Sequence, residues 1–241
     1  MIEISITENE YNENNLLYVQ SAMSELFYSA GCGVIVDNVG GRARLKISTP
    51  EYYADIIRAE VSDKVAEIIA IKYKYDFFKR NVNVGGLSSV EKEILMTSLI
   101  AADLDDDKRY SFERVKCYKN IAVDGVFNFK MVPLKKKWTD VVSYIPRFFL
   151  NTQLKEFVTY LLENKTKRVY IDDGRVYDCH YRRLKRSSLL DGDTVKIVRE
   201  VLLSNCGEVE LNGQIPSEDE FYLKEYYKDK IIFSQGVTQK G

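Results

Sequence analysis

The chain has 241 residues, of which 45% are hydrophobic and 29% are charged, and its formal net charge at pH 7 is −1. This composition is typical of globular proteins and excludes a chain that is disordered throughout. A net charge so close to zero predicts no global attraction to nucleic acid or to a membrane surface.

The apolar runs are too short for a membrane span, and the first residues lack the pattern of a secretory signal. Val34–Val36 and Ile68–Ile71 are among the longest apolar runs, far below the roughly 18 residues that a span needs. Met1–Ile4 shows no cationic segment followed by an apolar one. We therefore expect a cytoplasmic protein without a membrane partner.

Residues 1–82 show the pattern of a β-α-β-β-α module. Ile2–Ile6 alternates apolar and polar residues, as a half-buried strand does, and the apolar residues of Leu16–Ala30 recur at helical spacing. Asn38–Gly41 lies between two strand-like runs and predicts a hairpin with a glycine-bearing turn. A long helix follows, with Thr49 as its predicted N-cap.

A break at Asn83–Gly86 separates this module from the rest of the chain. Ser88 and Glu91 then form a capping box that predicts the start of another helix. The acidic run Asp103–Asp107 is interpreted as the solvated exit of that helix. The predicted domains are 1–82 and 87–241.

The second predicted domain combines short helices with a hairpin and short strands. Interrupted apolar spacing from Phe127 to Val142 predicts two or three short helices, and Leu154–Leu162 predicts a cleaner one. Asp173-Gly174 supplies the positive φ values of a type I′ turn and predicts a hairpin over 168–181. The predicted fold is α+β: the N-terminal module, a helical segment, and a C-terminal α+β part with the hairpin. The predicted N-caps of its later helices are Asn151 or Thr152, Asp193, and Ser217.

The cysteines and the single histidine form no recognisable metal or catalytic pattern. Cys32, Cys117, Cys179 and Cys206 lack the close pairing of zinc ligands, and one histidine cannot supply a histidine pair. His180 adjoins Cys179, but consecutive side chains of a strand point to opposite faces, so we expect these two to face apart. No catalytic residue, metal site or cofactor is predicted.

The middle of the chain is strongly basic although the whole chain is nearly neutral. Residues 111–186 carry 17 Lys+Arg against 8 Asp+Glu. Clustered cations bind polyanions by releasing counterions, so this segment predicts an acidic protein or another polyanion as partner, with nucleic acid possible but not favoured. Alternatively, these cations pair with acidic flanks inside the fold. The predicted partner-binding residues are Lys135, Lys136, Lys137, Arg182, Arg183, Lys185 and Arg186.

The leading hypothesis from the residues is a non-enzymatic binding protein, and the alternative is an enzyme with an unrecognised site near the 168–181 hairpin. Such an enzyme would need titratable side chains that converge in a pocket. Asp172, Asp173, Asp178 and His180 are the candidates there.

Two helical motifs of the middle segment resemble those of the sporulation protein YtxC family, over roughly residues 70–185. Ile121–Lys130 (IAVDGVFNFK) is similar to the family's GF-x-x-F-R-L turn-helix motif, and Leu154–Leu162 (LKEFVTYLL) is similar to its E-[FY]-x-x-F-[IV]-x-x-L helix. Lys130 and Met131 stand where the family usually has Arg and Leu. The resemblance implies a cytoplasmic protein of an endospore-forming bacterium and carries over no catalytic residue.

Overall fold

The structure is a computed structural model and describes residues 1–233. Its helices, in chain order, are α1 (Glu13–Ala22), α2 (Ser24–Ser29), α3 (Ala54–Ile68), α4 (Lys74–Asn81), α5 (Ser89–Ala101), α6 (Leu104–Val115), α7 (Val123–Lys130), α8 (Val132–Tyr144), α9 (Asn151–Leu162), α10 (Lys196–Leu203) and α11 (Ser217–Tyr227). Its strands are β1 (Ile2–Asn9), β2 (Gly33–Val39), β3 (Arg42–Thr49), β4 (Asn120–Ala122), β5 (Arg168–Asp172), β6 (Arg175–Tyr177), β7 (Glu208–Asn212) and β8 (Ile231–Phe233).

The chain divides into two compact units, and each unit uses two separate stretches of sequence. Unit 1 comprises Met1–Phe78 and Leu104–Ser143, and unit 2 comprises Lys79–Asp103 and the chain from Tyr144 onward. Each unit contains helices and one mixed sheet of four strands. The predicted α+β class, with an N-terminal β-α-β-β-α module and a C-terminal hairpin, is confirmed.

The sheet of unit 1 has the strand order β2-β3-β1-β4. β3 pairs with β1 and β2 in antiparallel register, whereas β4 runs parallel to β1. Ile4 and Ile6 on β1 and Leu45 and Ile47 on β3 are fully buried, as the alternating pattern requires of the face turned toward the core. Helix α1 packs against β1 and β3, and α3 packs against α1 and α6.

The first helical patterns are interrupted in ways that the sequence does not predict. The helix expected over Leu16–Ala30 is broken at Met23 into α1 and α2. The long helix after β3 contains a π-helical turn, Ile69–Tyr73, between α3 and α4. A π turn adds a residue to the backbone ring and rotates the side chains that follow, and such turns are frequent at functional positions.

The sheet of unit 2 has the order β6-β5-β7-β8, in which β5, β7 and β8 are parallel. Helix α10 lies between β6 and β7 in the chain and α11 between β7 and β8, which supplies the crossovers that parallel strands need. The inner face of the sheet belongs to one apolar core with helices α5, α9, α10 and α11. Asp173 (φ 47°) and Gly174 (φ 69°) form the predicted hairpin turn.

The predicted boundaries, 1–82 and 87–241, concern independent folding and stay a prediction. The observed contacts group the residues differently. β4 pairs with β1, which attaches the 104–143 stretch to unit 1. Gly85, inside the predicted break, donates its N–H to the carbonyl oxygen of Arg147 at 2.9 Å, which attaches this segment to unit 2.

The capping box of Ser88 and Glu91 is confirmed, but the other predicted N-caps are wrong. Thr49 is the buried last residue of β3, and the helix after it begins later. Ser217 is the first residue of α11, after Pro216. The observed residues before α9 and α10 are Leu150 and Val195, in place of Asn151 or Thr152 and Asp193. No helix among residues 1–233 combines the length and apolarity that crossing a membrane requires.

Candidate functional site

The predicted partner-binding residues are divided between the two units. Lys135–Lys137 lie on α8 in unit 1, and Arg182–Arg186 follow β6 in unit 2. Each group is therefore described within its own unit.

The three lysines of α8 have different surroundings. The Nζ of Lys137 donates to Oδ1 of Asp107 at 2.7 Å. The Nζ of Lys135 donates to the carbonyl oxygen of Asn128 at 3.2 Å and lies 5.1 Å from the ring centroid of Phe127. Lys136 is exposed and forms no ion pair within residues 1–233. Internal pairing therefore accounts for Lys137, and Lys136 stays available to a partner.

Asp107 is the centre of a buried charge network in unit 1. Its side chain is 1% exposed, and Oδ2 accepts from Nζ of Lys74 at 2.8 Å and from Nε1 of Trp138 at 2.9 Å. A buried carboxylate is tolerated only when it is paired and hydrogen-bonded, and this one has three donors. The interpretation of the acidic run as a solvated exit is wrong for Asp107, because α6 begins at Leu104 and turns this residue inward.

A cleft of about 450 Å³ opens beside this network, between α6 and α8. The Arg114 guanidinium lies 3.3 Å from the ring centroid of Tyr110 and donates to the carbonyl oxygen of Tyr110 at 3.0 Å. The Tyr110 hydroxyl is buried and has no hydrogen-bond partner among the described residues. The lining residues are Asp106, Asp107, Arg109, Tyr110, Glu113, Arg114, Pro133, Leu134 and Lys137.

Arg114 is the cation of this cleft whose charge is left without a carboxylate in the described part of the chain. The other acidic and basic side chains nearby are paired: Asp106 with Arg109 at 2.7 Å, Glu113 with Lys116 at 2.5 Å, and Asp107 with Lys137. Arg114 thus offers a guanidinium that no carboxylate of the described residues pairs with to an anion in this cleft. Sequence reasoning missed Tyr110 and Arg114, although their i, i+4 spacing on a helix is a detectable signal.

In unit 2 the predicted basic run is partly structural. The Nη1 of Arg186 donates to the carbonyl oxygen of Leu203 at 3.0 Å. The backbone N–H groups of Arg186 and Ser187 donate to the carboxylate of Glu200 at 2.9 and 2.7 Å. Burial raises the pKa of Glu200 above its usual range. Lys185 is half-buried, whereas Arg182 and Arg183 are exposed.

Cys179 and His180 do not face apart, so that expectation is wrong. The Sγ of Cys179 lies 3.3 Å from Nδ1 of His180. Strand β6 ends at Tyr177, so both residues belong to a loop and the alternation of strand side chains does not apply to them.

The carboxylates of the alternative enzyme site have separate structural roles. Oδ1 of Asp172 accepts from Nδ2 of Asn212 at 2.7 Å, and Asp173 forms the hairpin turn. Oδ1 of Asp178 accepts from the backbone N–H groups of His180 and Arg182 at 2.8 and 2.9 Å. An enzyme site at the hairpin therefore stays a prediction without a convergent set of acids to support it.

A second buried polar cluster lies at the end of β1. Glu8 is fully buried, and its carboxylate accepts from the hydroxyl of Tyr73 at 2.9 and 3.0 Å and from Nδ2 of Asn15 at 3.1 Å. Burial raises the pKa of Glu8, and burial followed by the Glu8 charge raises the pKa of Tyr73. The sequence carries a signal for this cluster, because Glu8 continues the inward-facing register of Ile4 and Ile6.

Comparison with protein-family models, curated proteins and solved structures finds no match to this chain. The function is therefore argued from the geometry of its own side chains.

Proposed function

We propose that this protein is a non-enzymatic binding protein and that the cleft of unit 1 receives an acidic segment of a partner protein. The observation that carries the proposal is the half-buried Arg114, whose guanidinium stacks on Tyr110 and lacks a carboxylate within the described residues. An arginine held by an aromatic ring is pre-organised to bind a carboxylate through two parallel hydrogen bonds.

The remaining lining suits a carboxylate that is carried on a peptide. Leu134 and Pro133 add apolar surface to the cleft that Arg114 lines. A partner side chain that brings both charge and apolar area can use both parts of the cleft. The exposed Lys136 adds positive charge at the surface, where it raises the association rate of an acidic partner.

The cytoplasmic location and the link to sporulation are part of this proposal. They rest on the resemblance to the YtxC family. Expression timing in a sporulating culture is the measurement that bears on the link.

A fluorescence titration tests the binding proposal, because Trp138 is the single tryptophan of the chain and donates to Asp107 beside the cleft. A glutamate-rich peptide added at about 50 mM salt should change the Trp138 emission, and raising the salt to about 200 mM should weaken the binding. Arg114→Ala should weaken the affinity about tenfold or more, since it removes the central charged contact.

Lys130→Ala is the matched control, because Lys130 is exposed on α7 and lies outside the lining of the cleft. It removes the same unit of charge and should leave the affinity near that of the wild type. A flat titration of the wild-type protein, or equal weakening by both variants, would contradict the proposal. Binding of heparin that is insensitive to Arg114→Ala would contradict it as well, because it would show attraction to charge alone.

A further inference from the structure

The outer face of the sheet in unit 2 carries a row of aromatic and basic side chains. Tyr170 lies directly opposite Tyr177 in the β5–β6 pair, and Tyr177 lies directly opposite Arg183 in an antiparallel bridge. Directly opposed residues of antiparallel strands project to the same face and are close neighbours. Tyr170, Tyr177 and Arg183 therefore stand side by side across the sheet.

Tyr181 extends this row from a loop that holds it in place. Its ring stacks on that of Tyr170, with centroids 4.7 Å apart and planes inclined by 19°. Its φ of 58° lies in the left-handed region, which is strained for a bulky residue and persists only where surrounding contacts fix it. The carboxylate of Asp178 supplies those contacts through the backbone of His180 and Arg182. Tyr181 is 70% exposed, so the stacked pair presents an aromatic ring to solvent.

Three exposed arginines of β6 and the loop after it form no ion pair among residues 1–233. Arg168 pairs with Glu208 and Glu210, whereas Asp172 and Asp178 keep their charge and accept hydrogen bonds from Asn212 and from the backbone of the loop. None of these carboxylates forms an ion pair with the three arginines, so the arginine guanidinium groups are open to a ligand. They are Arg175, Arg182 and Arg183, all exposed.

From this geometry we infer that the outer face of the unit 2 sheet binds single-stranded nucleic acid. Bases stack on Tyr181 and on the neighbouring tyrosines, and the three arginines contact the phosphates. Open sheet faces with exposed aromatic rings suit single strands because every base has a π-face, while a duplex hides its base faces inside the stack. This site uses other residues than the cleft of unit 1 and goes beyond the proposed function.

Fluorescence anisotropy with labelled single-stranded oligonucleotides of about 12 residues, one of uridine and one of thymidine, tests the inference at about 50 mM salt. Tyr181→Ala should weaken the binding about tenfold, which is the scale of one lost base–aromatic stack. Tyr181→Phe keeps the ring and should bind like the wild type. Arg183→Glu should weaken the binding and make it less dependent on salt.

Two matched controls lie elsewhere in unit 2. Tyr160 on α9 is as exposed as Tyr181, and Arg147 is an exposed arginine outside the sheet. Tyr160→Ala and Arg147→Glu should each bind like the wild-type protein. Arg114→Ala should also leave the oligonucleotide affinity unchanged. The proposal for this site and the proposal for the cleft of unit 1 can therefore be refuted independently.

Three results would overturn the inference. The first is the absence of binding to either oligonucleotide at low salt. The second is equal binding of single strands, duplex and heparin with no effect of Tyr181→Ala, which would show attraction to charge alone. The third is equal weakening by Tyr160→Ala and Tyr181→Ala. A preference for the uridine strand over the thymidine strand would support the inference and indicate RNA as the ligand.

Discussion

At the scale of single residues, the buried charges of unit 1 are held in place by specific partners. Lys74 is fully buried, and its Nζ pairs with Oδ2 of Asp107 at 2.8 Å. The same carboxylate holds Trp138 and Lys137, so one side chain fixes three donors from α4 and α8. This arrangement places Lys137 at the cleft and connects the stability of unit 1 to the geometry of its proposed site.

Asp107→Asn should lower the free energy of unfolding by about 3–5 kcal/mol, because it removes the carboxylate that pairs with the buried ammonium of Lys74. Urea unfolding monitored by Trp138 emission measures this difference. Asp106→Asn is the matched control, since Asp106 is the preceding carboxylate of the same helix and is 66% exposed. An Asp107→Asn variant as stable as the Asp106→Asn variant would refute the role of this network.

The sequence predicts inward-facing apolar residues well and inward-facing polar residues poorly. Ile4 and Ile6 follow the alternating pattern and are buried as expected. Glu8 and Asp107 are buried because distant residues, Tyr73 and Lys74, supply their hydrogen bonds. Those partners come together only through the tertiary fold. The residues next to Glu8 and Asp107 in the sequence therefore wrongly indicate that these carboxylates are exposed to solvent.

At the scale of elements, local helix and turn signals predict the start of some elements correctly and fail for others. Asp173-Gly174 specifies its turn through its own backbone preferences, and Ser88 with Glu91 caps α5 through local hydrogen bonds. The start of α10 is different. Val195 precedes it with a φ of 41° and no side-chain cap, and the cap comes from Asp219 on another helix.

Asp219 joins the start of α10 to the first turn of α11. Its Oδ1 accepts from the backbone N–H of Val198 at 2.9 Å. Burial raises the pKa of Asp219 above its ordinary value of 3.8, and the nearby charge of Glu218 raises it further. Since the folded protein binds this proton more tightly than the unfolded chain does, the contribution of Asp219 to stability is full below about pH 3.8 and is lost as the pH rises through the raised pKa.

Asp219→Asn keeps an acceptor oxygen but cannot ionise. Its stability relative to wild type should therefore increase as the pH is raised from about 3.8 through the pKa of the folded state, and then level off. Asp219→Ala removes the cap as well and should be about 1 kcal/mol less stable than Asp219→Asn at every pH, since neither variant ionises at this position. Urea unfolding of both variants across this pH range is the measurement, with Glu218→Gln as the neighbouring control. If the stability difference between wild type and Asp219→Asn did not change with pH, the raised pKa of Asp219 would be contradicted.

At the scale of the whole molecule, the division of each unit into two stretches of sequence has a direct test. A fragment of residues 1–82 lacks β4, α6 and α8, and with them the parallel pairing of β1 with β4 and the ion pair of Asp107 with Lys74. We expect this fragment to lack a cooperative unfolding transition and dispersed amide resonances. A fragment that folds cooperatively would support the boundary predicted from the sequence and contradict the grouping seen in the contacts.

The alternating order of the two units also governs how the chain matures during its synthesis. The chain is synthesised from its N-terminus, so the edge of β1 that pairs with β4 stays unpaired until β4 has been translated. The packing of α5 is delayed further, because α5 packs against α10, which lies near the end of the chain. Contacts between such distant residues close slowly and leave apolar surface exposed in the meantime. The nascent chain should therefore engage chaperones most strongly after α5 has emerged and before α10 has been translated.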